Sequence, residues 1–421
     1  MKRALPVLFA LLFLVSLSGV SSATNGDNLI SIGPVSRAMG GVGIASPQDS
    51  ISAVFSNPAA MCFGPYCPGS GFDFSGTIFM PTAHTRITMP GFDTGTQRSN
   101  SDIFIIPAIG ISAPISPNLR FGLAAYGVSG LGVDYRDKFD LDPSTPGNQA
   151  LYTNLQVMKF APNLAYLVNP NFSIGAAIHV NYGALDLEHG TSSGFGIGAQ
   201  LGAIYKSGPF QVGATYISPQ QIKHKRVANF DAAFGSTTLD DLKLESPQTV
   251  GLGVAVEPTP GKLLIETNVK WINWADAAGY KDFGWKNQWV WALGVQYRPD
   301  PKIALRAGVN YGNNPIKINA LSAATPPVDV QGKLVPPFQY EVLRVAGFPA
   351  IVQTHAAVGL GYQLTKSVSL DLGFTHAFKK SVRESGTAAF PDGKGGFAAV
   401  PVSIETDLQE NSIDFGITWR F

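Results

Sequence analysis

Residues 36–60 read SRAMGGVGIASPQDSISAVFSNPAA, and apart from the first residues they are the one part of the chain that is neither an alternating strand, a turn nor a long polar loop. From Gly71 onward apolar side chains alternate with small or polar ones at a period of two, the pattern of β-strands. A compact segment set among strands reads as an insert, and its size suits a plug inside a barrel. Gly40, Gly41 and Gly43 leave its backbone free to turn tightly. Ser46-Pro47-Gln48-Asp49 predicts a helix start, with Ser46 as N-cap and Pro47 at the first helical position. Ile51, Val54 and Phe55 then share one face, and Asn57-Pro58 predicts the stop, because the residue before a proline is pushed out of the α region.

The strands decide what the insert sits in. In the last of them Ile413, Phe415, Ile417, Trp419 and Phe421 share one face, while Ser412, Asp414, Gly416, Thr418 and Arg420 share the other. Val250 to Glu257 and Val368 to Thr375 split the same way. A soluble sandwich would carry Lys and Glu on its polar face; here that face is Gly, Ala, Ser and Asn, which suits a crowded lumen. Trp285, Trp289, Trp291 and Tyr297 are assigned to the apolar face, as in the aromatic girdles of membrane barrels. The alternation predicts about fourteen strands. Short Pro/Gly/Asn turns such as Pro114–Pro117, Asn169–Asn171 and Pro299–Pro301 alternate with long links at Asp134–Ala150, Pro219–Glu245, Asn313–Ile351 and Lys380–Glu405. Short turns on one rim and long loops on the other mark an outer-membrane barrel, and an even strand count puts both ends on the periplasmic side. The expected fold is therefore all-β, a transmembrane antiparallel barrel over residues 70–421 with a small N-terminal hatch over residues 24–69 in its lumen.

Composition agrees. Charged residues are only 14% of the 421 and Gly numbers 46, against about a quarter charged in soluble domains. The net charge of +1 becomes −1 without Lys2 and Arg3, so no basic surface points to nucleic acid. Those two cations, the apolar run Leu5–Leu17 and the small residues Ser21-Ser22-Ala23 read as a secretory signal over residues 1–23, cleaved after Ala23. Cys62 and Cys67, the only cysteines, are expected to form a small structural disulfide in an oxidising compartment. No metal is expected, since no histidine lies near them.

The chain resembles the FadL/OmpP1/TodX family of outer-membrane transporters of long-chain fatty acids and other hydrophobic compounds. SRAMGGVGIA followed by FSNPAA is similar to the family's N-terminal hatch with its Asn-Pro-Ala motif, here Asn57, Pro58 and Ala59. SPQTVGLGVAVEPTPGKLLIETNVKWINW, WKNQWVWALGVQYRPDPKIALRAGVNYGNNPI and THAAVGLGYQLTKSVSLDLGFTHAF resemble its later strands, and ITWRF its terminus. The resemblance implies a fourteen-stranded barrel, a hatch whose rearrangement gates passage, and lateral release through a gap where an early strand kinks. Gly127, Gly130 and Gly132 in YGVSGLGVDY suit such a gap. The short Asp186–Ser193 link departs from the long outer loops expected there.

Candidate functional residues follow from this reading. Arg37, Gly40, Gly41, Asn57, Pro58 and Ala59 would form the hatch and its gate. An anionic head needs a cation in an apolar tunnel, and alternation turns Lys159, Lys270 and Arg306 into the lumen; ion pairing, as between Lys270 and Glu266, is the structural alternative. Arg37 could equally bind a lumen carboxylate. Gly194-x-Gly196-x-x-Ala199 lies in an alternating strand with no helix after it and is no dinucleotide site. No catalytic arrangement and no cofactor are expected. The expected partners are a hydrophobic small molecule and outer-membrane lipid, with the protein a monomer. A non-selective porin is the main alternative function, and an outer-membrane hydrolase or an adhesin a remoter one.

Overall fold

A computed structural model describes residues 24–64, 67, 69–139 and 151–421; the leader read in residues 1–23 lies outside them, as does most of the Asp134–Ala150 link. Fourteen antiparallel strands form a closed barrel. They are β1 Gly71–Met89, β2 Phe104–Pro114, β3 Leu119–Asp134, β4 Tyr152–Asn169, β5 Phe172–Asp186, β6 Ser192–Ser207 and β7 Phe210–Ile217. The second half comprises β8 Thr249–Thr259, β9 Leu263–Ile272, β10 Gln288–Asp300, β11 Ile303–Gly312, β12 Thr354–Gln363, β13 Val368–Pro391 and β14 Phe397–Arg420. Each pairs with its sequence neighbour, and β14 closes the ring on β1 from Arg420↔Gly71 to Ser403↔Thr88.

Period-two alternation does the sorting. Ile197 at 72% exposure, Trp291 at 57% and Leu372 at 55% face outward, whereas Asn181, Gln200, Asn268 and Asn310 are buried inside. An outer surface this apolar has water as its wrong solvent and lipid as its right one. Tyr166, Tyr205, Tyr297 and Trp419 stand exposed toward the short-turn rim. No helix among the described residues is long and apolar enough to cross a membrane.

Three expectations are corrected. Trp285 is buried at 5%, not turned to lipid: β10 starts only at Gln288, so strand parity does not reach back to it, and it packs inside edge-to-face against Trp274 and Tyr280, with ring centres 4.9 and 4.8 Å apart. Lys380–Glu405 is not a long loop; β13 and β14 stay paired from Lys380↔Leu408 to Pro391↔Phe397, a hairpin running far beyond the apolar band. The link between β7 and β8 is likewise folded, as a ribbon of Gln220–Ala228 on Asp240–Ser246.

Residues 24–64 fill the lumen. After a tight turn at Thr24–Leu29 come helix α1 at Pro34–Ala38, helix α2 at Ser50–Ser56 and a 3-10 turn at Pro58–Cys62. α2 starts later than expected, because Asp49 rather than Ser46 is its N-cap and accepts from Ser52 N at 2.6 Å. It stops where Asn57-Pro58 predicts, with Asn57 extended. From the long-loop rim residues 313–353 fold inward. Helix α3, Pro337–Glu341, runs into a wide π turn at Val342–Gly347, where the buried Arg344 donates to Glu341, Glu384 and the Lys317 carbonyl.

Candidate functional site: hatch, lumen cavities and a gap in the wall

At several points the hatch backbone itself meets the wall. Lumen-facing glycines make room for it: a Cβ on Gly213 would stand 2.1 Å from the Ile44 carbonyl oxygen, and one on Gly308 2.1 Å from Met39 C. On the hatch side Gly40 and Gly41 both have positive φ, +71° and +85°, and a Cβ on Gly40 would lie 2.6 Å from the Val309 oxygen. These two positions require glycine on both counts.

Polar side chains fasten the plug. Arg37, fully buried, donates through Nε to Asp414 at 2.8 Å, to Ser412 Oγ at 2.6 Å and to the Ser31 carbonyl at 3.2 Å, so its partner is a carboxylate of the lumen wall. Glu266, fully buried on β9, accepts from the backbone amides of Gly43 at 3.0 Å, Ala45 at 2.8 Å and Ser46 at 3.1 Å. Asp73 on β1 accepts from Ser50 N at 2.7 Å, at the start of α2. Asn57 caps the 3-10 turn by accepting from Ala59 N at 3.1 Å. Its amide points to the carbonyls of Ile44, Ala203 and Ala214 at 2.8 to 3.2 Å. Pro58 and Ala59 pack on Gly175, where a Cβ would fall 2.4 Å from Ala59 N. Cys62 and Cys67 are free thiols: Cys67 Sγ is turned to donate to the Met61 carbonyl at 2.7 Å instead of bonding Cys62, and burial pushes the Cys62 thiol up to about 12.

The three lumen cations have different surroundings. Arg306 pairs with Asp371 at 2.5 Å and donates to Gln296 at 2.7 Å, so it is part of the wall. Lys270 does not meet Glu266, which is occupied by the hatch; it donates to the Ile30 carbonyl at 3.3 Å. Among the described residues neither Lys159 nor Lys270 has an ion pair. Both line one lumen cavity of about 80 Å³ together with Ile44, Phe55, Tyr126 and His179.

The gap lies at β3. β2 and β3 pair from Pro114↔Arg120 only as far as Ala108↔Tyr126. Above that rung β2 stays on β1, ending at Phe79↔Phe104, while β3 shifts register against β4 between Gly127 and Ser129 and follows β4 to Asp134↔Tyr152. The two edges rejoin only where Asn100 N donates to the Asp134 carbonyl at 2.9 Å. Between these points the edge of β3 takes its partners from the hatch: Asn28 pairs with Ser129, and Gly130 N donates to the Asp27 carbonyl at 3.2 Å. Gly127, Gly130 and Gly132 all border the gap, and so does Pro107, which has no N–H to offer. Behind the gap is a cavity of about 420 Å³ lined by Leu29, Phe79, Ile106, Leu131, Leu155 and Val157 among others. Ile105, 75% exposed, and Met158, 43% exposed, belong to the same lining, so the cavity reaches the outer face of the wall. Leu131 and Leu155 also line a small apolar recess of about 20 Å³ under Phe283, Trp285 and Phe348. The larger cavity thus extends toward the inward-folded loop.

Sequence reasoning missed Glu266 as a hatch ligand, the aromatic cluster of Trp274, Tyr280 and Trp285, and Asp27, whose carboxylate accepts from Tyr280. A lumen-facing acid opposite a glycine-rich segment was the one signal for Glu266.

The family model of the outer membrane protein transport proteins (OMPP1/FadL/TodX) matches residues 14–193 and 185–331. Similar solved structures include the toluene transporter TodX of P. putida (15% identity, 93% of this chain and 99% of that one, TM-score 0.65). A Pseudomonas aeruginosa FadL homologue is similar at 16% identity over 94% and 100%, TM-score 0.66. The Ralstonia pickettii toluene transporter TbuX matches at 16% over 94% and 99%, TM-score 0.61. At these identities the likeness is one of fold. No curated protein matches the sequence.

Proposed function

Since the chain belongs to the OMPP1/FadL/TodX family and is an outer-membrane barrel for the transport of hydrophobic compounds, we propose that its substrate is a long-chain fatty acid or similar acid-headed hydrophobe. The compound would leave sideways through the gap between β2 and β3 when the hatch shifts. The observation that carries this reading is the gap backed by an apolar cavity of about 420 Å³, within the roughly 300–1,000 Å³ of small-molecule sites. A hydrophobic molecule gains nothing by entering water on the periplasmic side, whereas a lateral exit delivers it to hydrocarbon. The two lysines without acid partners beside the lumen cavity favour an anionic head over toluene, the compound named for TodX and TbuX, because buried cations are costly until an anion pairs with them. A lumen packed by residues 24–64 argues against the open porin.

A disulfide across the gap tests the route. A Cβ built on Gly127 lies 3.8 Å from Ile106 Cβ, the mean separation in disulfides. With Cys62 and Cys67 changed to Ser, the pair Ile106→Cys and Gly127→Cys should cut uptake of labelled oleate at least about fivefold when oxidised, and reductant should restore it. Wild-type uptake by the oxidised protein would exclude this exit.

A further inference from the structure

Thr24 is 3% exposed and lies inside the barrel, where its backbone N donates to His355 Nε2 at 3.2 Å and its hydroxyl donates to Glu410 at 3.2 and 3.5 Å. Glu410 is 2% exposed on β14, and among the described residues it has no ion pair; the neighbouring Arg37 is committed to Asp414. Among the described residues Glu410 is also the one charged residue lining the cavity behind the gap. A buried carboxylate with a single hydroxyl for company is an expensive thing to keep in an apolar cavity. Some cation is owed to it.

We propose that the missing cation is the α-ammonium of Thr24, so that removal of the leader between Ala23 and Thr24 creates the contact that seats the N-terminal turn beside the gap. Cleavage adds one water across the Ala23–Thr24 peptide bond: the hydroxyl goes to the Ala23 carbonyl carbon, and the Thr24 nitrogen takes a hydrogen. The amine then binds a further proton, since an α-amino group titrates near 8. The nitrogen changes from one N–H to three. His355 Nε2 already accepts from it, which fixes the neutral tautomer with its lone pair facing Thr24. Glu410 already touches the hydroxyl of the same residue, so an ammonium at this position has a neutral acceptor and a carboxylate within reach and needs no change of backbone. The same turn supplies Asp27 and Asn28 to the free edge of β3, so the ammonium anchors one end of the segment that occupies the gap. A terminus displaced by one residue would move the charge about 3.5 Å and lose both partners. The inference rests on the leader boundary and is independent of what the barrel carries.

The test uses purified mature protein and an amine-reactive ester at neutral pH, with the N-terminal peptide quantified by mass spectrometry. The expected mature terminus is Thr24, and its amine should react at least about tenfold more slowly in the folded barrel than after unfolding. Glu410→Gln, with the folded barrel verified by heat-modifiable mobility, should raise labelling several-fold toward the unfolded rate, because burial alone remains while the ion pair is gone. Inserting one glycine between Ala23 and Thr24 should do the same without touching the wall, which keeps the test decisive if Glu410→Gln fails to assemble. A different mature terminus, equal labelling of folded and unfolded protein, or unchanged protection in both variants would overturn the proposal.

Discussion

Glu266→Gln should loosen the hatch while leaving the barrel intact. The glutamate holds three backbone amides of the hatch at 2.8 to 3.1 Å, each a charge-assisted bond worth about 1.5–3 kcal/mol. Glutamine has nearly the same shape and can still accept from Gly43 and Ala45, as neutral bonds of about 0.5–1.5 kcal/mol each. Its NH2 would replace the oxygen that faces Ser46 N, setting donor against donor. Relief of the carboxylate's desolvation returns part of the loss. The net effect on hatch docking is about 2–4 kcal/mol, or roughly 30- to 1,000-fold in the docking equilibrium.

Two assays read this directly. Amide exchange at residues 43–46 should accelerate by about that factor once intrinsic rates are corrected for, and planar bilayers should show brief ion-conducting openings that the wild type lacks. The melting temperature of the barrel should hardly move, because the backbone ladder of Glu266 to β8 and β10 is untouched and its carboxylate serves the hatch. Glu257→Gln is the control: Glu257 bonds Gly261 within a short turn at 3.1 Å and never meets the hatch. If Glu266→Gln exchanged and conducted like the wild type, the amide cradle would not be what holds the hatch.

Other perturbations probe the neighbouring contacts. Asn57→Ala removes a cap and an amide shared among three carbonyls, and should impair oleate uptake several-fold while the heat-modifiable barrel still forms; unimpaired uptake would remove Asn57 from gating. Gly202→Val puts a Cβ 2.0 Å from Asn57 Oδ1 and should displace residues 57–59, seen as new protease cleavage there. Lys159→Met with Lys270→Met should lower uptake of oleate about tenfold, equivalent to roughly 1.4 kcal/mol, and spare toluene; equal loss of both would refute the anionic-head assignment. Burial raises the Asp27 carboxyl to about 6 from an ordinary value of 3.8. A raised acid pKa means the docked turn binds a proton that the free turn releases, so docking is strongest below about pH 4 and weakens as pH rises through 6. Protection of residues 24–29, corrected for intrinsic exchange, should fall over that window in the wild type and stay flat in Asp27→Asn.

The barrel was legible because lipid and a crowded lumen impose opposite demands on alternate residues, and that demand persists through all fourteen strands. It fails where the demand ends. Beyond Lys380 the outer face of the β13–β14 hairpin leaves lipid for water and carries Ser381, Arg383 and Glu405, while the inner face stays buried at Val382, Ala388, Val402 and Ile404, so the lipid-facing half of the pattern is lost. Before Gln288 the chain leaves the wall, so parity no longer tells where Trp285 points. The Lys270–Glu266 pair fails on simple geometry: four residues along a strand span about 13 Å, so sharing a face does not bring two side chains together. For Arg37 a lumen carboxylate was one of the partners the sequence left open, and the structure places Asp414 there. Its partner could not be named, since Asp414 lies 377 residues away and only barrel closure brings it near.

If the hatch gates the proposed exit, its contacts must be firm and still removable. Wall glycines let the hatch backbone approach β6, β7, β10 and β11 closely, and beside its buried apolar side chains such as Ile51, Val54 and Met61 the plug is fastened by discrete polar clasps at Arg37, Glu266, Asp73 and Asn57. Such bonds can be exchanged for water one at a time, at a net cost of about 1.5–3 kcal/mol each where a charge takes part, whereas interdigitated apolar side chains would have to part together. The clasps are spread around the ring. The turn at residues 24–29 alone borders the gap, where Asp27 and Asn28 complete an edge that β2 abandons. A local shift of that turn would expose the β3 edge and widen the route to lipid, with the clasps farther round still closed to ions. Lateral release and ion tightness are then compatible, and the separation is testable: Asp27→Ala should alter oleate uptake without conductance, whereas Glu266→Gln should produce conductance.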